Sequence, residues 1–177
     1  MLKSRLPALD AILPVFAVIS FLVYGWTLVV FLWKVPSWMM FLTFGEILSV
    51  FAYSMTSAFL ESLAALAILL LASMLLPARW MREVFVTRGS VAALFGLGSI
   101  MLYMYRLSVT GYAVLHDLFP WTWIALALSL LLTFLAPRLR FVIRSVAWIS
   151  DRLIVFLFLL LPISLVSVIV VIVRNLF

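Results

Sequence analysis

The sequence contains no cysteine and only one histidine, His116. The absence of cysteine excludes disulfide bonds, thiolate metal sites and cysteine nucleophiles. Nucleophile motifs and glycine-rich phosphate loops are missing as well. No His or Cys accompanies Glu46 or Glu61, the two glutamates of the longest apolar run, at a spacing typical of a metal site. The sequence therefore predicts no metal site, no cofactor and no enzymatic activity.

Charged residues are also scarce. They make up 10% of the 177 residues, whereas 68% are hydrophobic, and the mean hydropathy is +1.37. Soluble domains are about 25% charged and about 45–50% apolar, so a soluble fold would not hide this much apolar surface. We therefore predict an all-α, polytopic integral membrane protein, a helical bundle that forms one transmembrane domain over residues 1–177. Its first partner is the lipid bilayer.

The net charge of +6 does not indicate nucleic acid as a partner. Most basic residues lie beside the ends of apolar runs, where they act as topology signals and contact lipid headgroups. The segments between the apolar runs are too short to form an extramembrane domain that would bind a nucleic acid. We therefore expect no nucleic-acid binding.

Five apolar segments have lengths close to the roughly 20 residues that a membrane-spanning helix needs. Several of these segments begin or end near a proline. A proline in the first turn of a helix is harmless, because the N–H that it lacks would have no partner there. The predicted spans cover about residues 11–33, 58–76, 90–105, 121–136 and 153–173.

The apolar run from Trp38 to Leu76 is too long for one straight span. As a single helix it would exceed about 50 Å at 1.5 Å per residue, against a hydrocarbon core of about 30 Å. Two interpretations fit the run. Residues 38–57 form a re-entrant or interfacial helix before the span at 58–76, or they form an extra, sixth span with a turn near residues 54–57.

The segment between the last two spans is typical of a helix on the membrane surface. Arg140, Arg144 and Trp148 recur at every fourth position, and apolar residues lie between them. A basic amphipathic helix of this kind lies in the headgroup region. We predict a surface helix over 138–150, with headgroup contacts made by Arg138, Arg140, Arg144 and Trp148.

The distribution of basic residues indicates an orientation. With five spans and a cytoplasmic N-terminus, nine of the twelve Lys and Arg residues lie inside and three, Lys34, Arg106 and Arg174, lie outside. With six spans and an external N-terminus the division is eight to four. Cytoplasmic loops of membrane proteins carry the excess of Lys and Arg. Both arrangements place the Arg-rich connections at 78–89 and 137–152 in the cytoplasm.

The longest apolar run contains two glutamates, and these are the leading functional candidates. On one helix, Glu46, Ser49, Tyr53, Ser57 and Glu61 fall within a sector of about 120°. Intramembrane carboxylates are costly and usually face a cavity, a partner or a bundle interior. We therefore name Glu46, Tyr53, Ser57 and Glu61 as candidates for ligand or ion handling. The structural alternative is helix–helix adhesion, with Arg106 as an ion-pair partner of Glu46.

His116 and Asp117 form a second, weaker candidate, because a His–Asp dyad can act as a general base. An aspartate before the helix that begins at Pro120 also has an ordinary capping role.

Three functions follow from these observations. We favour a non-enzymatic subunit or scaffold of a larger membrane-protein assembly or homo-oligomer, because the loops are short and small residues recur in the spans. The alternative is a small transporter or channel that uses the Glu46 and Glu61 face for protons, cations or a polar substrate. An enzyme built around His116 ranks third.

Overall fold

The chain folds into a bundle of long helices in a computed structural model that describes residues 7–77, 81, 84–110 and 115–176. These ranges contain no strand, and five of their helices are long and apolar enough to cross a membrane. The all-helical class is therefore confirmed. The elements are α1 (Leu9–Trp38), α2 (Phe44–Leu75), α3 (Phe85–Thr110), α4 (Leu115–Leu135), a 3-10 turn (Ala136–Arg138) and α5 (Arg140–Leu176).

Helix α2 runs through the second apolar run without the turn expected near residues 54–57. Residues 38–57 thus form neither a separate re-entrant helix nor a sixth span in the described structure. No Pro or Gly interrupts residues 46–76. The hydroxyls of Ser54 and Ser62 donate to carbonyls four residues earlier, at 2.8 and 2.7 Å, so these polar groups are satisfied within the helix. At 32 residues, α2 is about 48 Å long and must tilt or extend beyond the hydrocarbon core.

Helix α5 joins two segments that the sequence analysis treated separately. It is continuous over 37 residues, so the expected surface helix at 138–150 is the N-terminal part of α5 together with the preceding turn. Ser150 lies inside the helix and donates to the carbonyl of Val146 at 2.6 Å. The helix does not break here because no Pro or Gly occurs between Arg140 and Leu161.

Helix α1 is the centre of the bundle. In its most apolar stretch 44% of the residues are buried, against 6% in the most apolar stretch of Leu118–Arg138. Helix α1 packs against α2, α3 and α5, whereas α4 packs chiefly against α3. The core includes Val15, Ile19 and Tyr24 of α1, Met55 and Ala58 of α2, and Phe85 and Ala93 of α3. Because α2 and α3 both pack on α1 and touch each other at few positions, a gap remains between them.

Helices α1 and α3 approach each other closely at Gly89. A Cβ atom added to Gly89 would lie 3.1 Å from both methyl carbons of Val15, and Val15 is fully buried. Small residues let membrane helices approach closely, which increases van der Waals contact between them. The glycine at position 89 therefore determines how closely α3 packs against α1.

A buried polar contact links α1 to α5. The hydroxyls of Tyr24 and Ser164 are hydrogen-bonded, and both residues are buried. Ser164 donates its single hydroxyl proton to the carbonyl of Leu160 at 2.7 Å, so the Tyr24 hydroxyl is the donor to Ser164 Oγ. Hydrogen bonds of this kind hold membrane helices in register because hydrocarbon offers no competing partner.

Candidate functional site

A cleft of about 500 Å³ occupies the gap between α2 and α3, with α1 as its floor. Its lining is mostly apolar, and the aromatic side chains on the floor are Trp26, Phe31 and Trp38. The polar residues that line it are Thr27 and Lys34 of α1 and Ser54, Ser57 and Glu61 of α2. On α3 the lining extends from Leu97 to Met104. The cleft has the size and composition of a small-molecule site, which is commonly about 300–1,000 Å³ and largely apolar.

Glu61 lies near the middle of α2. The glutamate is about 26 Å along the helix axis from Phe44 and about 21 Å from Leu75, at 1.5 Å per residue. Its carboxylate Oε1 accepts a hydrogen bond of 2.8 Å from the Ser57 hydroxyl, one turn earlier. The side chain is exposed in the described chain and lines the cleft. Glu61 therefore places an acidic group close to the centre of the bundle's long axis.

Glu46 has a different role, because it caps the start of α2. Its carboxylate accepts hydrogen bonds from the Thr43 backbone N–H at 2.7 Å and from the Thr43 hydroxyl at 2.8 Å. The Thr43 hydroxyl accepts in return from the Glu46 backbone N–H at 3.4 Å. This reciprocal arrangement is a capping box, which satisfies N–H groups that have no partner within the helix. Glu46 is exposed and does not line the cleft.

Tyr53 also points away from the cleft lining. Its hydroxyl accepts a hydrogen bond of 2.8 Å from the Asn175 side chain in the last turn of α5. Arg174, beside Asn175, interacts electrostatically with Glu46. Glu46 and Tyr53 thus connect the start of α2 to the end of α5, and the proposed pairing of Glu46 with Arg106 stays a prediction. Arg106 is exposed near the end of α3.

The structure therefore divides the predicted polar stripe. Ser57 and Glu61 lie together in the cleft, whereas Glu46 and Tyr53 belong to the junction of α2 with α5. Sequence reasoning missed Ser54, which lines the cleft three residues before Ser57. The signal was present, because Ser54, Ser57 and Glu61 recur at i, i+3 and i+7, the spacing of one helix face. No comparable spacing in the sequence indicated Trp26, Thr27 and Lys34, which line the cleft from α1.

The predicted headgroup residues lie where α4 joins α5. Arg138 ends the 3-10 turn, and Arg140 begins α5. Arg144 is exposed in the second turn of α5, and Trp148 follows one turn later with 62% of its surface exposed. The guanidinium of Arg152 lies 5.5 Å from the centre of the Trp148 ring. Exposed Arg and Trp side chains at a helix end are typical of the membrane interface.

Two further predictions concern metal and acid–base chemistry. The described residues contain no group of three or more His, Cys, Asp or Glu side chains able to hold a metal ion. The side chains of His116 and Asp117 lie outside the described part of the chain, as do Arg79 and Arg82 of the basic connection.

No protein-family model, curated protein or solved structure matches the chain.

Proposed function

We propose that the chain is a non-enzymatic integral membrane protein that handles cations at the Glu61 cleft, as a small transporter or channel. The observation that carries this proposal is the position of one carboxylate, near the middle of a membrane-length helix and on the wall of a cleft. Ionisable residues at such depth are costly, and in membrane proteins they commonly mark the path of an ion, a proton or a substrate.

The shape of the cleft supports the same proposal. On α1 the lining begins at Val23 and extends to Trp38, the last residue of the helix. The cleft is therefore roughly 22 Å long at 1.5 Å per residue, and it leads from one end of the bundle towards its middle. Lys34 lies on the part nearest the helix end, and Glu61 lies on the deeper part. A cation that reached Glu61 would already have crossed about half of the hydrocarbon core.

The proposal predicts flux that depends on Glu61. The purified chain, reconstituted into liposomes that contain a pH-sensitive dye, should speed the response of internal pH to an imposed cation or proton gradient. Glu61→Gln keeps the shape of the side chain but removes its charge. It should lower this flux by about tenfold or more, because the cation then has no counter-charge at the midplane.

The matched control is Glu46→Gln on the same helix. Glutamine at that position still accepts from the Thr43 N–H, so flux should stay within about twofold of the unsubstituted chain because the cleft is unchanged. Both variants should elute as the parent chain does on size exclusion. Equal flux from the parent chain and from a correctly folded Glu61→Gln variant would contradict the proposal.

We further propose that the basic connections at 78–89 and 137–152 face the cytoplasm. The excess of Lys and Arg at that end of the bundle supports this orientation. The chain has no cysteine, so a single introduced cysteine is the one residue that a maleimide can label. Its labelling shows on which side of the membrane that position lies. Ser145→Cys, near the start of α5, should react with a membrane-impermeant maleimide only after the cells are opened. Ser37→Cys, at the end of α1, should react on intact cells. The reverse pattern would overturn this orientation.

The second candidate function is the one that the sequence favoured, a subunit or scaffold of a membrane assembly or homo-oligomer. The exposure of α4 supports it, because most residues of Leu118–Arg138 are not buried against the rest of the described chain. Large side chains such as Phe119, Trp123 and Leu131 are between 60 and 68% exposed. A stoichiometric partner that remains bound on gentle extraction, with no flux from the chain alone, would favour this function.

A further inference from the structure

The residues that line the cleft favour one class of cation over the others. A bare metal ion requires a shell of oxygen ligands, usually six or more for Ca²⁺ and six for Mg²⁺. The described residues contain no cluster of acidic or His side chains that would begin such a shell. Glu61 is the acidic member of the lining, and hydroxyl groups accompany it. Most of the remaining lining is aliphatic or aromatic, a surface that favours an organic molecule.

Aromatic side chains on the cleft floor add a second preference. Trp26 lies on the floor, and Phe31 and Trp38 follow towards the end of α1. The rings of Phe31 and Trp38 meet edge to face with their centres 5.6 Å apart. The face of an aromatic ring attracts a cation, and the attraction is strongest for tryptophan and for cations that are poorly hydrated. A carboxylate and an indole in one apolar cleft therefore suit a cation whose charge is spread over an organic body.

We propose that the cleft binds a lipophilic organic cation, such as a quaternary ammonium or phosphonium compound or a protonated hydrophobic amine. The charge lies against Glu61 and Trp26, and the apolar body lies along Val30, Met101 and Met104. Lys34 is exposed at the far end of the cleft, where a long basic side chain extends to the interface and leaves the deeper part acidic. This inference rests on the proposed function and names the substrate class for that site.

The test is binding of radiolabelled tetraphenylphosphonium to the full chain in phosphatidylcholine nanodiscs, measured by equilibrium dialysis against empty discs. The chain should show saturable binding of one equivalent above the empty-disc background. Tetraphenylborate has nearly the same shape and the opposite charge, and it should show no saturable binding. This contrast needs no substituted chain, so it remains decisive even where a variant folds poorly.

Variants then locate the site. Glu61→Gln should weaken tetraphenylphosphonium binding by at least about tenfold, whereas Glu46→Gln should leave it unchanged because Glu46 lies outside the cleft. Trp26→Leu should weaken binding by about 2- to 30-fold, the range expected for loss of a cation–π contact. Trp26→Phe keeps an aromatic face and should retain part of the affinity.

Three results would overturn the inference: no saturable binding above empty discs, equal binding of tetraphenylborate, or unchanged binding by a folded Glu61→Gln chain. The first result together with Glu61-dependent flux of protons or inorganic cations would leave the proposed function intact and reject only the organic class. Saturable, Glu61-dependent binding with no flux would support the site and reject transport.

Discussion

Phe85→Ala should lower the free energy of unfolding by about 2–3 kcal/mol. Phe85 begins α3, is 1% exposed, and is the largest fully buried side chain among the residues that the structure describes. It belongs to the same buried core cluster as Val15, Ile19 and Met81. In a membrane protein the transfer part of such a loss is small, because lipid tails are as apolar as the core. The cavity part remains, at about 24 cal/mol per Å³ for on the order of 100 Å³ removed.

Reversible unfolding in mixed detergent and SDS micelles would measure this loss. The matched control is Phe158→Ala in α5, where the same side chain is 77% exposed. Removing it creates no cavity, so its effect should be below about 0.5 kcal/mol. Equal losses from the two substitutions would show that the core around Phe85 does not hold α1 and α3 together.

Gly89→Leu should cost about 1–3 kcal/mol or more, because it overpacks the crossing of α1 and α3. Even the first added carbon would lie 3.1 Å from both methyl groups of Val15. Val15 is 0% exposed, so other side chains enclose it and resist its displacement. The leucine therefore forces α3 away from α1, and the van der Waals contacts along that crossing weaken.

The same unfolding assay provides two comparisons. Gly96→Leu lies on the same helix, but a Cβ atom there meets nothing within 4 Å, so its stability should stay near that of the parent chain. Val15→Ala removes the two methyl carbons that conflict with position 89. Adding it to Gly89→Leu should restore part of the lost stability, whereas two additive losses would show that the residues do not meet.

The helical spans could be predicted from the sequence because they depend on local composition. Runs of apolar residues must satisfy their backbone groups internally in lipid, and a helix does so whatever its neighbours are. The points at which one helix ends and the next begins within an apolar run were harder to predict. The expected break near residues 54–57 relied on length alone, but a helix longer than the bilayer core can tilt or protrude at modest cost. The same reasoning explains why α5 continues through residues 138–150.

The candidate site was predictable in part. Glu61 and Ser57 share a face in any helix, and the structure brings them together with a 2.8 Å hydrogen bond. Glu46 shares that face on a helical wheel, yet it lies in the first turn of α2, where a carboxylate bonds free backbone N–H groups. The sequence of the Thr43–Glu46 pair contained this information, since Thr followed three residues later by Glu is a helix-start pattern.

Composition and hydropathy by themselves determined that this is a helical membrane protein, and the spacing of Ser57 and Glu61 determined that they share one face. Both conclusions follow from properties of short segments, which act without reference to the rest of the chain. Only the tertiary structure decided that α1 lies at the centre, that α2 and α3 leave a cleft between them, and that Trp26 and Lys34 line it with Glu61. Those features depend on which helices pack against each other. Packing in lipid is decided by close contacts such as Gly89 with Val15 rather than by hydropathy.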